Sequence, residues 1–457
     1  MPPKVSEEMK NKNVLLSCAW LLVVVACGAY GQVPVAEALT PDPETVRTTY
    51  TRVLKAIEAI PLYDNHSHPG FADDANVDAM AAPTSMSVSE RLRADNPELI
   101  AASQDLFGYP YNDASPDHLK WLVDRKAKLR NDSKGTEYFD RILDKVNIEQ
   151  ALANRPVMAT YLNAKRFHWV FFVDSVLFPF DNHRLIARNT DQATYVPLQE
   201  AKLKRELSQE GVSSLPTSFH EYLEFVTRLL EDNKGHGGVA VKFEIAYFRP
   251  LHFDDPSQER AAQVYEKYCR GGEPELQDYR DFQDFVFRYL IREAGRLHLP
   301  VHIHTAVGIG DFFSLSEDNV LQLENILRDP RYEQTTFVLL HGGYPFQDQA
   351  IWLGARRNVY LDTSLMELYL YPSEFKNVLR RWLLLFPDKV LFGADAFPFN
   401  EAVGAEESYW LAVRTVRTSL AAALSEMICA HEVSEAKALS FAHAYLHDTA
   451  AKLYEEH

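Results

Sequence analysis

The sequence runs to 457 residues, 46% of them hydrophobic and 12% aromatic, enough apolar material for a large packed core and too much for a disordered chain. A formal charge of -17 opposes a polyanionic partner, so no nucleic acid is expected as a ligand. Length permits several domains, but an α/β barrel absorbs roughly 250 residues or more into one unit, and one catalytic domain is the default.

At the amino terminus, Lys4, Lys10 and Lys12 precede the apolar run Val14 to Gly31 (VLLSCAWLLVVVACGAYG). A basic, then apolar, then small-residue order predicts a signal peptide over residues 1–31 and an exported chain, secreted or periplasmic. Ala29-Tyr30-Gly31 offers cleavage before Gln32, whereas Val24-Val25-Ala26-Cys27 resembles a lipobox that would leave a lipid anchor on Cys27. A single membrane anchor is a third reading, for which the run is short. Removal of this segment leaves Cys269 and Cys429, which form no disulfide framework and no CxxC zinc site.

Residues 32–60 read as a Pro-rich linker followed by a helix from Glu44 to Ile60, and Pro61-Leu62-Tyr63-Asp64 as the first strand of a barrel spanning 61–457. Residues 71–150 are polar and lack the short apolar runs of buried parallel strands. They are expected to form a helical insertion after the first strand, suited to a lid or to a homo-oligomer contact. From about residue 151, short apolar runs alternate with amphipathic stretches, the pattern of βαβ units. The predicted strands are Pro156–Met158, Phe167–Phe172, Val239–Ile245, Val301–His304, Phe337–Leu340, Val359–Leu361 and Val390–Phe392. With the strand at Leu62 they make eight. The expected fold is α/β, a distorted (β/α)8 TIM barrel.

Metal-ligand residue types stand at the trailing ends of these strands, where barrel enzymes place their active sites. His66 and His68 follow the first strand in Asp-Asn-His-Ser-His, and residues i and i+2 of an extended chain face one side, so two imidazoles can converge on one ion. His304 ends Pro-Val-His-Ile-His, His341 ends Phe-Val-Leu-Leu-His, and Asp395 ends Val-Leu-Phe-Gly-Ala-Asp. His302, two residues deeper than His304, suits a packed core position, and Asp362 suits a structural one. Lys242 interrupts an apolar strand, where burial favours its neutral amine. It can be carboxylated to bridge two cations, contact substrate, or pair with Glu244.

Taken in order, the segments HSH, VKFEIAYFRP, HIHTAVGIGD, LLHGGYP and LFGADAFP resemble the metal-dependent amidohydrolase superfamily. The likeness is to its amidohydrolase-related branch, which includes decarboxylases and the amino-terminal domains of glutamine-synthetase fusion proteins. The resemblance runs from about Leu62 to Asp395 and implies His66, His68, Lys242, His304, His341 and Asp395 as the metal and catalytic set, on a distorted (β/α)8 barrel. Single-metal members leave the sixth-strand histidine for catalysis, so His341 is implied either as ligand or as catalytic group, and one or two ions remain open.

The expected activity is metal-dependent hydrolysis of an amide, lactam or ester carbonyl in a small molecule. A divalent ion, zinc by preference, would acidify water, and Asp395 would accept and return the proton. Arg249, with Tyr247 beside it, is a candidate to bind a substrate carboxylate, or to form a structural salt bridge. A single-metal non-oxidative decarboxylase using His341 for proton transfer is the alternative enzyme. A non-catalytic exported binding protein is the alternative of another class, and it would lack ligands that this sequence retains.

Overall fold

The computed structural model describes residues 41–78, 88–308 and 310–455. The expected signal peptide, the lipobox at Cys27 and most of the linker lie outside the described residues. Eight parallel strands follow one another in chain order around a barrel. They are β1 (Leu62–Ser67), β2 (Ile148–Asn154), β3 (Phe167–Phe172), β4 (Gly238–Phe243), β5 (Val301–His304), β6 (Phe337–Leu340), β7 (Val359–Asp362) and β8 (Val390–Leu391).

Between β8 and β1 the seam is drawn together by backbone hydrogen bonds from Asn65 N to Phe392 O (2.8 Å), Asp395 N to His66 O (2.7 Å) and His68 N to Ala396 O (2.8 Å). Buried Asp64 reinforces it, accepting from Ala394 N at 2.7 Å and His66 N at 3.2 Å. Burial raises the Asp64 carboxyl to about 8. The residues that carry the chemistry are therefore part of the closure itself.

The amino-terminal helix α1 (Pro43–Glu58) begins on Asp42, whose carboxylate caps Thr45 N, and buries Thr49, Val53 and Ile57 at helical spacing. Among the described residues, three α-helices lie between β1 and β2: α2 (Pro97–Phe107), α3 (Pro116–Asp132) and α4 (Glu137–Val146). Helix α4 buries Tyr138, Phe139, Ile142, Leu143 and Val146 and ends on Asn147 in left-handed backbone, so that β2 starts at the next residue. The second strand is thus not Pro156–Met158 but Ile148–Asn154. Its exposed Glu149 and half-buried Gln150 break the apolar run by which buried strands are read.

The outer layer includes α5 (Thr190–Gln209), α6 (Phe219–Gly235), α7 (Gln258–Tyr268), α8 (Leu276–Arg296), α9 (Pro372–Leu385) and the long α10 (Ala405–Cys429). After α11 (Glu435–His443), the terminal helix α12 (Thr449–Glu455) returns to the barrel. Its Ala450 and Leu453 join Tyr63, Leu152, Val170, Ala240, Val338 and Leu391 in one interior apolar cluster. Several of these stand early in their strands, so α12 plugs the end of the barrel opposite the strand-end histidines. Cys269 and Cys429 are free thiols. No helix among the described residues is long and apolar enough to cross a membrane.

Candidate metal centre

Strand alternation and strand ends bring the expected donors together. His66 points inward from β1 and His68 follows it, their rings 4.9 Å apart and almost perpendicular. His66, His341 and Asp395 each offer a ligand atom, all within 4.8 Å of one another. Asp395 Oδ1 stands 3.3 Å from His66 Nε2 and 3.5 Å from His68 Nε2, and its Oδ2 is 4.0 Å from His341 Nδ1. His304 joins through its Nδ1, 3.0 Å from His341 Nε2.

This donor set fits a divalent cation on two structural grounds. The first is His66, fully buried with neither ring nitrogen hydrogen-bonded, a state that costs about 1–3 kcal/mol for each buried polar group left unmatched. The second is the facing pair of His304 and His341. Nε2 of His304 lies 3.1 Å from the Ala306 carbonyl oxygen, and Nδ1 of His341 lies 3.3 Å from that of Ser364. A carbonyl only accepts, so those outer nitrogens carry the protons and the two inner nitrogens oppose lone pair to lone pair. A cation between or beside them removes the conflict.

Electrostatics prepare the same centre. Burial drives His66, His304 and His341 well below their ordinary range and His68 down to about 4, with Lys242 adding to the effect on each, so the imidazoles are neutral at pH 7. Burial raises Asp395 to about 7 against the opposing pull of Lys242. Lys242 is buried and its ammonium is depressed by desolvation, while Glu244, Asp395, Asp78 and Asp174 act to keep it charged. That acidic setting suits an intact ammonium; a carbamate would add negative charge among carboxyl groups.

Tyr247 is at the site, its ring 4.7 Å from that of His304 and 5.3 Å from Phe313. Arg249 has its guanidinium engaged by protein groups. Its Nη2 pairs with Asp284 Oδ1 at 2.6 Å and donates to His252 O at 2.9 Å, and it stacks over Phe253. The structural salt bridge is the reading that holds, because a guanidinium this buried needs a carboxylate partner. His302 occupies the core, bonded to Tyr454 OH at 2.7 Å. Sequence reasoning missed Asp174, which ends the β3 run as His341 ends that of β6 and accepts Glu244 N at 3.0 Å. It also missed Asp78, 3.5 Å from His68 Nδ1, which sits in a loop with no periodic signal.

A parallel barrel with histidine and aspartate donors converging at its strand ends defines a metal-dependent enzyme acting on a small molecule. Residues 229–455, which carry β4 to α12 and make up just under half of the chain, match the amidohydrolase family model. His66 and His68 lie outside the matched residues, and their place in the site rests on the geometry above. Over 158 residues the chain is 27% identical to Protein fluG of Emericella nidulans, a stretch covering 34% of this chain and 17% of that protein.

Uronate isomerase of Thermotoga maritima shares the fold with a TM-score of 0.62 at 12% identity, covering 89% of this chain and 97% of that one. Glucuronate isomerase of Caulobacter crescentus gives 0.61 at 14%, covering 91% and 96%. A Lactobacillus casei protein assigned by inference as a metal-dependent hydrolase gives 0.57 at 17%, covering 88% and 97%. At these identities the likeness is one of fold.

Proposed function

We propose that this chain is an exported single-metal hydrolase that cleaves an amide, lactam or ester carbonyl. The observation that carries the reading is Asp395, a carboxyl raised to about 7 and held within 3.5 Å of His66 Nε2 and His68 Nε2, which is where a general base for neutral pH is needed. His66, His68, His304 and Asp395 would hold a divalent ion, zinc by the mix of nitrogen and oxygen donors, with His341 as a further ligand or a proton carrier. When bound, that ion supplies Lewis-acid polarisation and lowers the pKa of water.

Asp395 accepts the proton of the attacking water and returns it to the leaving nitrogen or oxygen. The Lys242 ammonium, drawn on by Asp395 and Glu244, stabilises negative charge that develops on the substrate oxygen. Tyr247 and Phe313 supply an aromatic wall beside His304 that holds the substrate and sheds water. The basic and then apolar amino terminus supports export, and with it a signal peptide.

One observation favours a second reading. An unmodified Lys242 among carboxyl groups suits a decarboxylase, which needs a cation beside the carbon that loses carbon dioxide. Turnover in 18O-water of pooled amides, lactams, esters and aromatic carboxylic acids separates the two. Hydrolysis places 18O in the product carboxylate. Carbon dioxide release without incorporation would replace it with the decarboxylase, and a rearranged product of unchanged mass would mark an isomerase.

A further inference from the structure

The terminal helix reaches the metal centre through the middle of the barrel. The Tyr454 hydroxyl on α12 lies 2.7 Å from His302 Nε2 and donates to Asn65 Oδ1 at 2.6 Å. Asn65 Nδ2 donates to Asp362 Oδ2 at 2.8 Å. Asp362 Oδ1 in turn accepts from Ser364 N at 2.9 Å, from His341 N at 3.2 Å and from the Ser364 hydroxyl. Ser364 Oγ stands 3.0 Å from His341 Nδ1. Asn65, Asp362, Ser364 and His341 are all buried, and Gly393 leaves the room, since a Cβ there would collide with Asp362 Oδ2.

The direction of every bond in this chain follows from its acceptors. Each group touching Asp362 is a donor, so the carboxylate accepts throughout and Ser364 spends its one proton on it. The Ser364 oxygen is then left to receive His341 Nδ1–H, and the Ser364 carbonyl oxygen, at 3.3 Å, asks for the same proton. His341 is thereby held with Nε2 unprotonated and facing His304 Nδ1. At the other end, Tyr454 gives its proton to Asn65 and takes that of His302.

We infer that Tyr454 and Asn65 are positioning residues for His341: through Asp362 and the Ser364 hydroxyl they add to the hold that the Ser364 carbonyl oxygen has on Nδ1–H, and so favour the tautomer that leaves His341 Nε2 free to bind a cation or carry a proton. The inference rests on the reading of His341 as a working group of the site. It makes α12, at the far end of the barrel, part of the catalytic apparatus.

The test is tautomer spectroscopy on the full chain labelled with 15N-histidine, two-bond proton–nitrogen correlations being assigned to His341 by their loss in His341→Gln. The wild type is expected to show Nδ1–H. Tyr454→Phe, which keeps the ring, and Asn65→Ala, which cuts the same chain one bond nearer, are each expected to populate Nε2–H. Each should also weaken Zn2+ binding by the chelator-treated chain about tenfold, the lower end of what an outer partner of a ligand contributes, with an unchanged Tm. A wild-type His341 carrying Nε2–H overturns the inference, whether or not the variants fold. So does either variant if it folds normally and keeps the wild-type tautomer and Zn2+ affinity. Failure of the wild type to bind Zn2+ would count against the metal reading instead, and the tautomer result would still decide the relay.

Discussion

His341 and Asp395 hold φ angles of 61° and 47°, a region that residues with a Cβ enter at a cost of about 1–3 kcal/mol. Both belong to the His66, His341 and Asp395 group that could hold a metal ion, so the cost falls where side chains must be aimed against backbone preference. With the imidazoles kept neutral by burial and Asp395 raised to about 7, Asp395 holds the one proton a cation must displace near neutrality. Binding therefore releases a proton, and the affinity of the chelator-treated chain for Zn2+ should rise about tenfold per pH unit up to about 7 and level off above it. Calorimetry at pH 5.5, 6.5 and 8 checks this. A flat profile, or one that falls as pH rises, would reject the assignment, and Asp395→Asn should remove the slope. His66, His68, His304, His341 and Asp395 were legible in the sequence because each closes or follows an apolar strand. Arg249 was left between a substrate contact and a structural salt bridge because its partner, Asp284, comes from α8, and nothing near Arg249 in the chain announces it.

Among the elements, β3, β5 and β6 were read to the residue. β2 was not, because it starts directly after a helix and a polar pair, Glu149 and Gln150, follows its first residue. The helices of the insertion were legible as helices, but not their attachment to the barrel. That attachment is made in part by Arg91, which is 2% exposed, and in part by Lys126, which pairs with Glu407 at 2.9 Å. Arg91 Nε bonds Glu98 at 2.8 Å, its Nη1 the Glu367 carbonyl oxygen at 3.0 Å and its Nη2 the Thr415 hydroxyl at 2.8 Å, and it stacks over Tyr371. Arg91→Met removes one partner of a largely buried pair and strands a carbonyl oxygen. We expect a loss of about 3 kcal/mol in urea unfolding, well above the cost of an exposed ion pair. A loss under about 1 kcal/mol would show that Arg91 does not seat the insertion.

At the scale of the whole molecule, the order of the ligand-bearing strands was legible because parallel strands of a barrel run around it in chain order, so that donors spread over some 330 residues arrive at one rim. The closing of the seam by Asp64 and the plug formed by α12 were not, since both depend on contacts between the two ends of the barrel domain. The proposed centre is one divalent ion held by the histidines and Asp395, with Lys242 unmodified beside it. The most direct measurement is the metal content of the chain purified without chelator in bicarbonate-containing buffer, with His66→Ala and Lys242→Ala in parallel. About one ion per chain, lost in His66→Ala and kept in Lys242→Ala, is the expected result. Two ions falling to one or none in Lys242→Ala would contradict it and establish a carbamate bridge, and a wild type without metal would remove the centre altogether.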